Sequence, residues 1–179
     1  MSRILLVDDE ENVLKALRRL LLAHDYEVEC FVDPVDALKR SAVVSFDLVI
    51  ADYRMPAMDG VELLHAFRER QPATMRIILS GYNDIAALLG AINEAQIFRY
   101  ISKPWNDDEL LSIIEQALRY RALLLENERL ADQVRRQQGI ISRQELALKK
   151  MEREHPALFN VKRDADGAII LDDEDEAAC

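Results

Sequence analysis

The sequence ILLVDDE at residues 4–10 decides the fold of this chain, because a short apolar run ends there in a pair of carboxylates. Similar runs end at Asp52, after DLVIA, and at Lys103, after FRYIS. In a parallel sheet the carboxyl ends of the strands lie along one edge, where open α/β folds bind ligands. We therefore expect Asp8, Asp9, Asp52 and Lys103 to lie close together at that edge.

Apolar runs and helical patterns alternate along the first 120 residues, as in a parallel sheet covered by helices on both faces. Strands are predicted near residues 3–7, 27–31, 46–51, 75–79 and 97–101. Helices are predicted near residues 10–24, 34–42, 60–70, 83–95 and from 107 onward. The sequence therefore predicts an α/β fold with a five-stranded, flavodoxin-like parallel sheet in the order 2-1-3-4-5.

The expected cluster of charges has a chemical meaning. Crowded carboxylates repel one another unless a cation neutralises them, and carboxylate oxygens suit Mg²⁺ together with a phosphate. The ammonium of Lys103 can bind a phosphoryl oxygen, which indicates a phosphoryl-transfer site with an aspartate as acceptor. Asp8 and Asp9 alone also fit a helix start, which favours acidic residues. The coincidence of several strand ends favours the functional interpretation.

Four motifs resemble the receiver domain of two-component response regulators: VDDE at 7–10, ADYRMPAMDG at 51–60, LSG at 79–81 and YISKPW at 100–105. Their order and spacing match over about residues 1–120. The resemblance implies that Asp52 is the phosphoacceptor. It also implies that Asp8, Asp9 and Asp52 bind Mg²⁺ with the main-chain carbonyl of Arg54.

The resemblance assigns the remaining site residues as well. It implies that the Ser80 hydroxyl follows the phosphoryl group, that Lys103 forms a salt bridge with it, and that Tyr100 is an aromatic rotamer switch. The variable neighbours Arg54 and Tyr82 are expected to tune the lifetime of the phosphorylated state. The resemblance also implies a cis peptide before Pro104.

Composition limits the class of protein. Half of the 179 residues are apolar, but no run approaches the roughly 20 apolar residues of a membrane span. The N-terminus enters a strand without the pattern of a signal peptide, so we expect a cytoplasmic protein that does not bind membranes. Residues 1–120 carry 13 basic and 20 acidic side chains, and residues 121–154 carry 8 and 6. Without a basic domain, direct binding to nucleic acid is not expected.

A long helix is predicted after the sheet. Asn106 fits an N-cap, and no proline follows until Pro156, so one helix of about 48 residues, roughly 72 Å long, is expected. In a heptad repeat with Tyr120 at position a, the a and d positions would form the seam between two helices, and seven of them are apolar. Asn127 also lies at an a position, where asparagine favours parallel dimers. Gln137, Gly139 and Gln144 weaken the distal half. The predicted seam consists of Tyr120, Leu123, Asn127, Leu130, Val134, Ile141, Leu148 and Met151.

The sequence thus divides into a receiver domain at 1–120, a coiled-coil helix at 121–154 and an acidic tail at 155–179. We expect a homodimer through a parallel coiled coil, although a solvated or back-folded helix remains an alternative. In the tail, Asp166-Gly167 between β-prone stretches indicates a hairpin, and disorder with transient pairing remains an alternative.

The predicted function is that of a phosphorylation-switched response regulator without a recognisable DNA-binding or enzymatic output domain. Its expected partners are a histidine kinase and an unidentified downstream protein. The receiver is expected to catalyse its own phosphorylation from a phosphodonor and its own dephosphorylation. Two alternatives are a constitutive dimeric adaptor with a receiver head and a Mg²⁺-dependent aspartate phosphatase. The latter normally places its nucleophilic aspartate after the first strand rather than the third.

Overall fold

The fold is given by a computed structural model, which describes residues 1–81 and 95–154. Five parallel strands form one sheet in the order β2-β1-β3-β4-β5, which confirms the predicted flavodoxin-like topology. The strands are β1 Arg3–Val7, β2 Glu27–Phe31, β3 Leu48–Asp52, β4 Met75–Gly81 and β5 Arg99–Lys103. The helices are α1 Glu11–Leu22, α2 Pro34–Ser41, α3 Gly60–Arg70 and α4 Asp107–Glu154. The helix predicted at 83–95 lies, except for its last residue, outside the described residues.

Strands β4 and β5 each end two residues later than their apolar runs predicted, and β5 also begins two residues later. Strand β4 continues through Ser80 to Gly81, and β5 ends at Lys103, because these residues pair as Ser80↔Ser102 and Gly81↔Lys103. Backbone hydrogen bonds do not require apolar side chains, so the ladder continues past the apolar run. Ser80 and Lys103 are therefore held by the sheet itself.

Side chains alternate between the two faces of the sheet and form two cores. On one face, residues such as Val49 and Ile78 pack with Leu63 and Phe67 of α3. On the other face, strand residues pack with α1 and the beginning of α4. Both faces of β3 are buried, as its continuous apolar run predicted.

Helix starts follow the expected capping chemistry. Asp59 accepts a hydrogen bond from Glu62 N (2.8 Å), and Glu62 accepts one from Asp59 N (3.1 Å), which makes a capping box before α3. At α4, Asn106 Oδ1 accepts a hydrogen bond from Glu109 N (3.0 Å). The N-cap predicted at Asn106 is confirmed.

Helix α4 contributes to two compact units, Met1–Asn127 and Glu128–Cys179. In the first unit, Leu110, Ile114 and Ala117 are fully buried against the sheet. In the second unit, the described residues 128–154 are helical and exposed throughout. The hairpin predicted around Asp166-Gly167 lies outside the described residues. Within the described ranges, no helix is both long and apolar enough to cross a membrane.

Candidate functional site

The ends of four strands bring the predicted site residues to one edge of the sheet. Asp52 ends β3, Lys103 ends β5, and Asp8 directly follows β1. Neighbouring strands are in register there, because Val7 pairs with Ala51 and Asp52 pairs with Leu79. Asp8 and Ser80 are each 1% exposed, so both side chains are fixed inside the edge of the fold.

Lys103 connects the two buried carboxylates. Its Nζ atom lies 2.7 Å from Asp8 Oδ2 and 2.5 Å from Asp52 Oδ1. Glu10 Oε1 lies further away, at 3.8 Å. One ammonium thus faces three carboxylates, and the sum of their charges is negative. Such a site attracts cations, and Lys103 is its resident positive charge.

Burial and hydrogen bonding act in opposite directions on the ionisable groups. Burial raises the pKa of Asp8, and its hydrogen bonds from Lys103 and Glu10 N offset this only in part, so the pKa remains above its usual value. Burial lowers the pKa of Lys103, but hydrogen bonds to Asp52 and Asp8 outweigh it, so that pKa is raised. Lys103 is therefore held as a cation.

Asp52 is oriented by its own loop. Its Oδ2 atom accepts a hydrogen bond from Arg54 N (2.7 Å), which leaves Oδ1 facing Lys103. Gly60 N donates to Tyr53 O (3.0 Å) and so ties the start of α3 to the end of β3. A Cβ atom on Gly60 would lie 2.2 Å from Asp52 O. Only glycine permits this approach, and the position of Asp52 depends on it.

Of the two predicted switch residues, Ser80 lies near the end of β4 at the charged edge, and Tyr100 lies three residues before Lys103 on β5. Ser80 Oγ donates a hydrogen bond to the Gly81 carbonyl at 3.4 Å, near the upper limit for such a bond. Tyr100 lies on β5 and is 37% exposed, so its side chain is in part accessible to solvent. Tyr82 lies outside the described residues. The peptide bond between Lys103 and Pro104 is cis, as the family resemblance implied.

The oxygen atoms of these carboxylates suit a hard cation such as Mg²⁺, but they are not arranged as a preformed metal-binding site. Asp9 is exposed, while the inner oxygens of Asp8 and Asp52 both contact Lys103. In residues 1–81 and 95–154, no three His, Cys, Asp or Glu side chains are grouped to hold a metal. A divalent cation binding to Asp8 would compete with Lys103 for that carboxylate.

Sequence reasoning missed two residues of this site. Glu10 lies 3.8 Å from Lys103 Nζ and lines the open cleft around Asp52. Its position directly after Asp8 and Asp9 could have identified it from the sequence. Gly60 entered the sequence analysis only as the last residue of the ADYRMPAMDG motif. The cleft is lined by Asp9, Glu10, Asp52, Tyr53, Arg54, Gly81 and Lys103.

A second polar cluster fixes α4 at the opposite edge of the sheet. Arg121 Nη1 lies 2.8 Å from Asp47 Oδ1, and Arg121 Nε donates to Ala73 O (2.9 Å). Asp47 Oδ2 also accepts a hydrogen bond from Arg3 N (2.7 Å). The Tyr120 ring packs against Phe98 at 5.8 Å between centroids. Helix α4 is thus anchored to the sheet as far as Arg121.

Known proteins share much of this sequence. The model of the response regulator receiver domain matches residues 4–115. The hydrogenase transcriptional regulatory protein HoxA of Bradyrhizobium diazoefficiens is 36% identical over 140 residues, which cover 78% of this chain and 29% of HoxA. The transcriptional regulatory protein FixJ of the same organism is 30% identical over 138 residues, which cover 74% of this chain and 64% of FixJ. The chain thus spans less than two thirds of either relative.

Solved structures of receiver domains have a similar fold. The signal receiver domain of an HD domain-containing protein from Pseudomonas fluorescens Pf-5 is 41% identical, with a TM-score of 0.67, over 70% of this chain and 92% of that one. A CheY-like receiver domain protein from Methanospirillum hungatei JF-1 is 30% identical, with a TM-score of 0.65, over 68% and 97%. The family model matches more than half of the residues, which shows that the chain belongs to the response regulator receiver domain family.

Proposed function

We propose that Asp52 accepts a phosphoryl group from the phosphohistidine of a histidine kinase. The observation that carries this proposal is Lys103 Nζ, which lies between Asp8 and Asp52 at the carboxyl edge of the sheet. In the transfer the P–N bond breaks and a P–O bond to the Asp52 carboxylate forms, while the freed imidazole takes up a proton. Catalysis of this kind depends on positioning and charge stabilisation.

The surrounding residues have separate roles in this proposal. Asp8, Asp9, Asp52 and the Arg54 carbonyl would hold Mg²⁺, which neutralises charge on the phosphoryl oxygens when bound. Lys103 would transfer its contact from Asp52 to a phosphoryl oxygen. Its raised pKa supports this role, because the ammonium stays charged through the transfer.

The same groups support a switch. The Ser80 hydroxyl, which among residues 1–81 and 95–154 has only a long hydrogen bond to Gly81 O, is available to bind a phosphoryl oxygen. As Ser80 moves towards Asp52, the exposed Tyr100 ring would turn inward. Arg54 and Tyr82 are proposed to set how quickly water removes the phosphoryl group. Like its phosphorylation from small donors, this dephosphorylation would be catalysed by the receiver itself.

For the output we propose contact between proteins, with a receiver at 1–120, a dimerisation helix at 121–154 and an acidic tail at 155–179. The seven apolar seam side chains from Tyr120 to Met151 are each between 45% and 59% exposed, so they are accessible to a second copy. Asn127 favours a parallel pair. HoxA and FixJ are named as transcriptional regulatory proteins, and this chain would serve such a pathway in the cytoplasm through a downstream protein.

A constitutive dimeric adaptor is the second candidate, because the same exposed seam would work without phosphorylation. An aspartate phosphatase has less support, since Asp52 ends the third strand in sequence and not the first. Switch and adaptor differ in one respect. The switch changes its assembly or its partner affinity on phosphorylation, whereas the adaptor does not.

To test the proposal, the full chain is phosphorylated by acetyl phosphate with Mg²⁺. Intact-mass spectrometry then counts the added phosphoryl groups, and sedimentation measures the oligomeric state. We expect one added phosphoryl group in the wild type and none in Asp52→Asn, whose side chain keeps the same shape. Equal labelling of the mutant would contradict the proposal. A labelled protein whose sedimentation and partner binding are unchanged would instead favour the adaptor.

A further inference from the structure

One face of the distal half of α4 is basic, and it is not the predicted seam. In the heptad frame the outer positions b, c and f between residues 133 and 154 contain six cations and no acidic residue. Within the described residues, Arg135 pairs with Asp132 and Lys150 pairs with Glu154 on the same helix. Arg143, Lys149 and Arg153 form no ion pair there. Like charges on one helix face repel, so this face favours an anionic partner. The six cations are Arg135, Arg136, Arg143, Lys149, Lys150 and Arg153.

The same face also exposes apolar surface that the seam does not explain. Leu146 occupies outer position f and is 72% exposed, more than any seam residue. It lines an open groove together with Ala147, four of the six cations and one acidic residue, Glu154. The groove thus combines apolar contact with positive charge, and it suits a ligand that has an apolar part followed by several anionic groups.

The chain itself contains such a segment. Residues 168–176 read AIILDDEDE, in which four apolar residues precede five consecutive acids. We propose that this segment docks on the outer face of α4 of its own chain. Its apolar part would cover Leu146 and Ala147, while its carboxylates would pair with the surrounding cations.

The connecting chain is long enough for this contact. About 17 residues separate Glu154 from Asp172, and a coil of that length has a root-mean-square span of roughly 23 Å. The face from Arg143 to Arg153 extends over about 15 Å of helix. A tethered segment has an effective concentration of order millimolar, so even weak charge pairing becomes populated.

Docking has a consequence for partners. The acidic segment neutralises the outer face but leaves the seam open, so it is compatible with a dimer. An acidic protein that approaches this face must first displace the segment. The inference does not depend on phosphorylation of Asp52, because none of the residues involved belongs to that site.

The C-terminal Cys179 makes the contact measurable, since it lies three residues after Glu176. A nitroxide is attached to Cys179 in the full chain carrying Cys30→Ala, and amide signals of α4 are recorded at low salt. Amides of residues 143–153 should lose most of their intensity, while those of residues 128–134 should keep it. High salt should remove the difference, because it screens the ion pairs.

Two variants with equal charge change provide the control. Asp172→Asn with Asp173→Asn should abolish the difference, whereas Asp164→Asn with Asp166→Asn should preserve it. Uniform intensity along α4 in the Cys30→Ala protein would overturn the proposal. Broadening of ¹⁵N-protein that carries no nitroxide, when it is mixed with spin-labelled protein and both carry Ile141→Arg to prevent the parallel dimer, would also overturn it, because the segment would then come from another copy.

A second measurement uses the unmodified chain and so does not depend on the Cys30 variant. A carbodiimide joins a carboxylate to a lysine amine only when the two are in contact. We expect cross-links from the segment 172–176 to Lys149 and Lys150 at a protein concentration too low for dimers. Absence of these cross-links at low salt would refute docking on this face.

Discussion

Replacement of Gly60 by alanine should damage both the stability and the chemistry of the receiver. The new Cβ atom would lie 2.2 Å from Asp52 O and 3.2 Å from Tyr53 Cα, whereas favourable contacts lie at about 3.5 Å. Both partners are backbone atoms, so no side-chain rotation can relieve the overlap. Helix α3 must move away from β3 by about 1 Å, and overpacking of this kind costs roughly 1–3 kcal/mol. We expect the upper end of this range.

Urea unfolding followed by fluorescence of Trp105, the single tryptophan, measures the cost. The matched control is Gly139→Ala, because a Cβ on Gly139 meets nothing within 4 Å. In an exposed helix interior this substitution should increase helix stability by about 1 kcal/mol. Gly139 belongs to the second compact unit and Trp105 to the first, so Gly139→Ala should leave the Trp105 unfolding midpoint unchanged, whereas Gly60→Ala should lower it.

Phosphorylation gives the functional readout for Gly60→Ala. The displaced backbone belongs to Asp52, so the carboxylate should be misaligned with Lys103 and the rate of labelling by acetyl phosphate should fall. Gly139→Ala should leave that rate unchanged. A Gly60→Ala protein with the unfolding midpoint and labelling rate of the wild type would refute the argument from close packing.

Three further predictions concern other parts of the molecule. Burial raises the pKa of Asp8, so the folded state binds the carboxyl proton more tightly than the unfolded state does. The free energy of unfolding should therefore fall as the pH rises above the ordinary pKa of a carboxyl group. In unfolding measurements at a series of pH values, Asp8→Asn should remove this dependence and raise the free energy of unfolding near neutral pH. Arg121→Gln should remove the ion pair to Asp47 and lower the free energy of unfolding by roughly 1–2 kcal/mol, and an unchanged midpoint would contradict the anchor. Ile141→Arg should dissociate the proposed dimer in sedimentation, whereas its neighbour Ser142→Arg should not, and equal behaviour would reject the seam.

The sequence predicted the main features because they depend on local patterns. Apolar runs that end in charged residues predicted that Asp8, Asp52 and Lys103 lie at the same edge of the sheet, because the carboxyl ends of parallel strands meet there. The absence of proline between Asn106 and Pro156 predicted the length of α4. The seam remains a prediction, because a single chain leaves those side chains exposed whether or not a dimer forms.

Other features depend on distances between residues far apart in sequence. Arg76 was assigned to an apolar strand, yet its guanidinium is buried and donates hydrogen bonds to Thr74 O (2.6 Å) and Ala95 O (3.0 Å). Burial lowers its pKa, and among the described residues carbonyl oxygens rather than a carboxylate compensate the charge. The pairing of Arg121 with Asp47 is likewise a tertiary contact with no local pattern.

The central claim is that Asp52 carries the phosphoryl group, and reductive trapping tests it most directly. Borohydride converts an acyl phosphate on aspartate to homoserine, which peptide mass spectrometry then locates in the phosphorylated full chain. We predict homoserine at position 52 alone, formed only when both phosphodonor and Mg²⁺ are supplied. Homoserine at position 8 or 9, or a phosphate that survives as an ester on Ser80, would contradict the account.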